Sequence, residues 1–222
     1  MSLSDQINTQ YNKRSSKAHL YQRSPYSDAV QSELKATVKQ LLTSTFKDLS
    51  KVKLLEIGAG NGTNAYFFEE MGVKLENISF NELIGERLNN IKSGFPNNKL
   101  YEGDATHVQF PEKYDIVFQS TVFTSILNDK DRKALADKMW SLLNPGGIIL
   151  WYDFIYNNPK NPDVKKVDIA EVKSLFNKSS NFTIKKITLA PPIGRKVGKF
   201  YHLFNVPFLR SHILAVFQNG NG

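Results

Sequence analysis

The chain has 222 residues, 41% of them hydrophobic, with no cysteine and a net charge of +8. That is one domain's length with enough apolar residues for a core, and the missing thiols exclude a disulfide framework, a thiolate zinc site and a cysteine nucleophile. The charge is concentrated: residues 156–222 hold 11 Lys/Arg against 3 Asp/Glu, so the remainder is neutral. Such a field attracts anions (phosphorylated small molecules, nucleic acid, anionic lipid) or is simply a solvated face.

No apolar run approaches the roughly 20 residues of a membrane span. Residues 1–17 are polar and lack the apolar stretch of a secretory signal. The expectation is a cytoplasmic protein without a transmembrane segment.

Taken in chain order, the first 25 or so residues are polar, and Ser24-Pro25 is expected to break any helix there. Apolar residues at helical spacing (Val30, Leu34, Val38, Leu41, Leu42) predict a helix over 27–48. Residues 52–57 read as a buried strand, 58–62 as a glycine turn, and the following residues to 71 as a helix. A strand is expected over 75–81, a short helix over 85–93, and strands over 99–102 and 114–119. A helix over 129–143 stops at Asn144-Pro145-Gly146-Gly147, before a strand over 148–154. A helix over 168–176, capped by Asp168, and strands over 182–189 and 213–217 complete the set. This alternation implies an α/β fold with a doubly wound, mostly parallel, Rossmann-like sheet, whose ligands bind beyond the carboxyl ends of the strands.

Chemistry-bearing residues stand at those ends. Gly58, Gly60 and Gly62 follow the first strand as G-x-G-x-G, not the G-x-G-x-x-G of dinucleotide binding, which ranks a nicotinamide dehydrogenase last. Glycines there permit a tight turn and close approach of backbone to a ligand. Glu56, just before them, can face a ligand's ammonium group. Glu82 closes the second strand, where a carboxylate accepts hydrogen bonds from ribose hydroxyls. Asp104 follows the third strand, where it can accept from the amine of adenine. Each acid alone reads more readily as a helix cap or solvated turn residue; three such features at the ends of successive strands are not easily accidental.

The stretches LLEIGAGNGTN, NELIGERL, YEGDATHVQF, YDIVFQSTVF and LLNPGGIILWYDF resemble the successive motifs of class I S-adenosylmethionine-dependent methyltransferases. The resemblance spans residues 52–154. It implies a seven-stranded sheet with the last strand antiparallel and S-adenosylmethionine as cofactor, with no metal. It further implies that Glu56, Gly58, Ala59, Gly60 and Gly62 line the methionine end, that Glu82 with Leu83 holds the ribose, and that Asp104 and Ala105 meet adenine. Gln119 would face the methionine end or the acceptor. The chain then divides into N-terminal cover helices over 1–50 and a catalytic domain over 51–222, with an insert at about 190–207. FQSTVFTSILND, GGIILWYDF, NNPKNPDV and ITLAPPIGR are similar to a bacterial methyltransferase subgroup often found among glycan-biosynthesis enzymes, which implies a glycan-related acceptor.

Methyl transfer from a sulfonium is an in-line displacement in which the protein mainly supplies alignment. An alcohol acceptor needs a base more than an amine does. Asp153, with Tyr152 beside it at the end of the fifth strand, is the candidate catalytic or acceptor-orienting group; the alternative is a strand-end cap holding the following loop. His107, just after the adenine motif, reads as a cofactor-side or surface residue, and His19, His202 and His212 as packed or exposed residues. Nucleic acid ranks low as a partner. The position after the fourth strand reads Gln119-Ser120-Thr121-Val122 rather than the [D/N]-P-P-Y of DNA and protein amino-methylating relatives. An RNA methyltransferase, motivated by the basic tail, and a non-enzymatic cofactor-binding or membrane-associated module are the competing readings. On a helix over 194–206, Val197, Phe200, Tyr201 and Phe204 share one face, away from Arg195, Lys196 and Lys199. That predicts a lid helix packed on the domain or, as the alternative, a peripheral membrane contact. Tyr21 and Arg23 are expected to join the cover.

Overall fold

In the computed structural model, residues 23–158 and 161–220 are described, together with Ile7 and Thr9. Helix α1 (Pro25–Thr45) opens on Ser24, whose hydroxyl accepts from the Ser27 amide while the Ser27 side chain returns to the Ser24 amide. Pro25 starts the helix expected from residue 27, because the first helical position needs no amide donor and suits proline's fixed φ.

Strands β1 (Leu54–Ile57), β2 (Ile78–Glu82), β3 (Leu100–Glu102), β4 (Tyr114–Ser120), β5 (Leu143–Phe154), β6 (Asn181–Leu189) and β7 (Arg210–Gln218) form one sheet in the order β3-β2-β1-β4-β5-β7-β6. Neighbours from β3 to β5 are parallel, and β7 runs antiparallel to both β5 and β6. This is the expected seven-stranded, doubly wound sheet. Between the strands lie α2 (Asn64–Glu69), α3 (Gly85–Gly94), α4 (Asp129–Ser141), α5 (Ile169–Leu175), α6 (Pro191–Val197) and α7 (Tyr201–Phe204).

Alternation along the buried strands splits the core into two layers. Leu54, Ile116, Ile148 and Leu150 pack with Leu34, Val38 and Leu42 of α1 and Phe68 of α2. Leu55, Val117, Ile149 and Trp151 face the other way, onto Leu135 and Met139 of α4 and Val172 of α5. The chain order reverses between β1 and β4, whose carboxyl ends are where a doubly wound sheet opens its crevice.

Local differences from the expected elements have local causes. Residues 75–77 form a 3-10 turn before β2. Helix α4 ends at Ser141, and Leu143 already pairs with Tyr114 in a register that shifts before Ile116. The Asn-Pro-Gly-Gly stretch is thus the irregular start of a strand rather than a loop, and Gly147 passes so near three backbone carbonyls that a Cβ would crowd them at 3.0–3.1 Å. The helix expected over 194–206 is broken at Gly198, where φ is +50°. Tyr201 is buried, while Phe200 and Phe204 are exposed, so the four residues do not form one packed face.

Candidate functional site

Gly58, Gly60 and Gly62 all adopt positive φ (65°, 61° and 76°), so the turn after β1 folds back over the ends of β1 and β2. At Gly58 a Cβ would stand 2.6 Å from the Val122 side chain, which closes on the turn from beyond β4. At Gly60 the amide is turned inward and donates to Glu82 Oε2 at 2.6 Å. Ala59 fixes the same turn through its amide, which donates to the Asn81 carbonyl at 2.9 Å.

Glu82 is buried, and its Oε1 accepts from the amides of Leu83 and Ile84 at 2.8 and 3.0 Å. The Arg87 guanidinium stands 4.0 Å from Oε2. The carboxylate thus ties the glycine turn to the start of α3. Asp104 Oδ1 accepts from the Thr106 amide and hydroxyl at 2.9 and 2.8 Å, a turn-capping arrangement, and its Oδ2 lies 3.4 Å from exposed His107. Asn81 bridges the ends of β2 and β3 by donating to the carbonyls of Tyr101 and Gly103.

One cleft gathers Gly58, Glu82, Leu83, Asp104 and Ala105 with Asn81, Arg87 and Ser125; Ile7 also lines it. Glu56, Ala59, Gly60, Gly62 and Gln119 are not among its lining residues. Glu56, in β1 just before the glycine turn, is 1% exposed. Its Oε1 accepts from Asn64 Nδ2 at 2.6 Å, while its Oε2 is buried without a partner. Burial pushes the carboxyl up to about 8, against the Asn64 hydrogen bond, and the charge of Glu82 adds to the rise. Gln119 is fully buried, accepts from the Val122 amide at 3.0 Å and donates to the Tyr152 carbonyl at 3.4 Å, so it holds the turn after β4.

Asp153 and Tyr152 point to opposite faces of β5. Asp153 Oδ1 accepts from the Thr124 hydroxyl (2.7 Å) and the Phe154 amide (2.9 Å), and Oδ2 from the Thr124 amide (3.2 Å). Burial pushes this carboxyl up to about 7 in spite of those donors. The Tyr152 hydroxyl pairs with Thr188 Oγ1 at 2.9 Å, and its ring stacks on His212 at 5.1 Å. Burial raises the Tyr152 phenol and pushes His212 down to about 4. Thr121 and Thr188, the two non-glycine residues with positive φ among the described residues, both bond to Tyr152, Thr121 through its amide to the Tyr152 carbonyl. Backbone held in that region costs on the order of 1 kcal/mol or more and persists only where surroundings enforce it.

The sequence did not mark Asn64, Arg87 and Thr124, nor the group that seats the segment between β6 and β7. Glu33 on α1 accepts from the Thr188 amide, the Tyr201 hydroxyl and Asn205 Nδ2. Tyr201 in turn accepts from the Leu189 amide, and Tyr26 donates to the Leu189 carbonyl. Acidic and aromatic residues spread over 26–205 carry no shared motif, so no local signal marked them. Asn64 does lie within the glycine-rich stretch. Arg23, which precedes α1, pairs with Asp28 in the first turn of that helix at 3.0 Å; His19 and Tyr21 fall outside the described residues.

Residues 54–147 match the family model described as a methyltransferase domain. Over those residues the chain is similar to methyltransferase domains. Two curated relatives are similar over part of their length. One is malonyl-[acyl-carrier protein] O-methyltransferase 2 of Ilyobacter polytropus, 33% identical over 106 residues, which are 46% of this chain and 39% of that protein. The other is the malonyl-[acyl-carrier protein] O-methyltransferase of Calditerrivibrio nitroreducens, 28% identical over 130 residues, 58% of this chain and 49% of that one. The chain thus spans less than half the length of either. Among solved structures, an S-adenosylmethionine-dependent methyltransferase from Clostridium acetobutylicum superposes with a TM-score of 0.63 at 12% identity, covering 95% of this chain and 99% of its own. Magnesium protoporphyrin IX methyltransferase of Synechocystis, with bound S-adenosylhomocysteine, gives 0.62 at 12%, covering 95% and 96%. At such identity the shared property is the fold. Among the described residues no helix is long and apolar enough to cross a membrane.

Proposed function

We propose that the domain transfers a methyl group from S-adenosylmethionine to an oxygen or nitrogen atom of a small-molecule or glycan-related acceptor. The observation that carries this reading is the unpartnered, buried Oε2 of Glu56, just before a turn of three positive-φ glycines. A buried acceptor without a donor costs on the order of 1–3 kcal/mol, and a cationic ammonium group is the partner that removes this cost. The cofactor supplies an activated methyl on sulfur; the protein's share is to hold and align.

Glu56 faces the ammonium, directly or through water, with Gly58 and Gly60 giving the backbone surface of the methionine end. Glu82 meets the ribose. A carboxylate offers about four lone-pair sites, and three amides already use Glu82, so the ribose takes the remaining site or displaces the Gly60 amide. Asp104 keeps Oδ2 for adenine, beside Ala105. Asp153 serves as a positioning residue rather than a base. Both of its oxygens are spoken for and it is fully buried, so it fixes the Thr124 turn against β5. An acceptor that needs no proton removed suits that arrangement: an amine free base, or an oxygen already ionised as a carboxylate.

Calorimetry with S-adenosylmethionine tests the reading. The wild type binds, and Glu56→Gln weakens binding by about ten- to hundredfold, the worth of a hydrogen bond to a charged group. Absence of binding to the wild type, or undiminished binding to Glu56→Gln, removes it. A methyl-release assay over amines, carboxylates and sugar hydroxyls then selects the acceptor class.

A further inference from the structure

Four of the seven large hydrophobic side chains that the described residues expose lie within nine consecutive positions of the insert. They are Phe200 (52% exposed), Leu203 (75%), Phe204 (45%) and Phe208 (79%). The segment 190–209 also carries exposed Arg195, Lys196 and Lys199 and contains no aspartate or glutamate. The nearest acid bonded to it, Glu33, is engaged by Thr188, Tyr201 and Asn205.

This segment is not a loose end. Tyr201 is buried and ties it to α1 and to the Leu189 amide, and Tyr26 packs so tightly on Gly194 that a Cβ there would fall 2.1 Å from its ring. Arg210 binds both the Asn205 side chain and its carbonyl. The apolar side chains therefore project from a seated platform, and docking them costs little ordering entropy. An exposed apolar cluster of this size on a soluble domain marks a contact surface.

We propose that the 191–209 insert is a docking surface for an anionic lipid bilayer, with Phe200, Leu203, Phe204 and Phe208 entering the headgroup boundary and Arg195, Lys196 and Lys199 meeting lipid phosphates. The charge decides between occupants. A second copy would set three cations against three like charges wherever the patch met itself. An anionic membrane offers negative charge over the whole face and an apolar layer beneath it. Charge and apolar exposure thus call for the same partner. The insert follows β6 and precedes β7, so docking brings the end of β6 with Thr188 and the start of β7 with His212 toward the lipid. The proposal stands on these surface residues whether or not methyl transfer holds.

Flotation of the full chain with vesicles tests it. The chain rises with vesicles of equal phosphatidylglycerol and phosphatidylcholine, less so as salt is added, and stays down with phosphatidylcholine alone. Leu203→Ser with Phe208→Ser lowers the bound fraction by at least about tenfold, and Lys196→Glu with Lys199→Glu abolishes it. Both double variants keep the wild-type circular dichroism and melting temperature, because the altered side chains are exposed. Failure of the wild type to float overturns the proposal, as does flotation untouched by either double variant. Self-association that disappears in Leu203→Ser/Phe208→Ser, without flotation of the wild type, assigns the patch to a second copy and overturns it equally.

Discussion

Glu56 is neutral near pH 7 because burial holds its carboxyl at about 8. Facing an ammonium ion reverses that preference and favours the carboxylate. Glu56 is therefore expected to release about one proton per cofactor bound at pH 7. The signature is a binding enthalpy that changes with the ionisation enthalpy of the buffer, and Glu56→Gln should abolish the change. A buffer-independent enthalpy in the wild type would place Glu56 away from the ammonium. At this scale Glu56, Glu82 and Asp104 stand out in the sequence because each lies at or within two residues of a strand end. Asn64 and Arg87 were not, since an amide or a guanidinium one helical turn further on announces nothing until the turn brings it against a carboxylate.

At the scale of elements, buried polar side chains outside the cleft lining decide how the pieces are held. Arg132 on α4 is fully buried and donates to the carbonyls of Ile126, Lys165 and Lys166 and to Glu171 of α5. Arg132→Met leaves those acceptors short of donors and should cost on the order of 3–5 kcal/mol in chemical denaturation; a loss below 1 kcal/mol would mean that water replaces the guanidinium. Tyr201→Phe removes the acceptor of the buried Leu189 amide and a donor to Glu33. The expected loss is about 1–3 kcal/mol, with faster proteolysis of the 191–209 insert. Equal proteolysis rates in variant and wild type would show that apolar packing alone seats it. In sequence, Arg132 reads as one more charge on a helix with a polar face. Its burial follows from the path of 165–166 across α4, which no local pattern encodes.

For the whole molecule, pH acts through groups whose ionisation the fold alters. Glu56 rises from 4.5 to about 8 and Asp153 from 3.8 to about 7, so the folded state holds protons that the unfolded chain has lost. Their contribution is complete below pH 4 and is lost as pH climbs through 7 and 8. His212 runs the other way. Pushed from 6.5 to about 4, it contributes fully above 6.5 and loses that contribution as pH falls through 4. The two effects oppose each other between 4 and 6.5. From 6.5 to 8 only the carboxyls act, so the melting temperature should fall across that interval, and Glu56→Gln should flatten the fall. A melting temperature that rises from pH 6.5 to 8 would contradict the burial of these groups.

The sequence by itself determined the order of elements, the parallel sheet and the strand ends at which Glu82 and Asp104 share a cleft, because hydrophobic period and punctuation by glycine are local properties that tertiary packing rarely reverses. It also marked residues 194–206 as basic and aromatic. Only the tertiary structure decided that Asp153 clamps Thr124, that Glu56 keeps one oxygen unpartnered, and that Tyr201 turns inward while Phe200 and Phe204 stay exposed. Those outcomes depend on which buried donors reach which acceptors across elements far apart in the chain. That matching is set by the packing of the sheet and its cover, not by the spacing of neighbours.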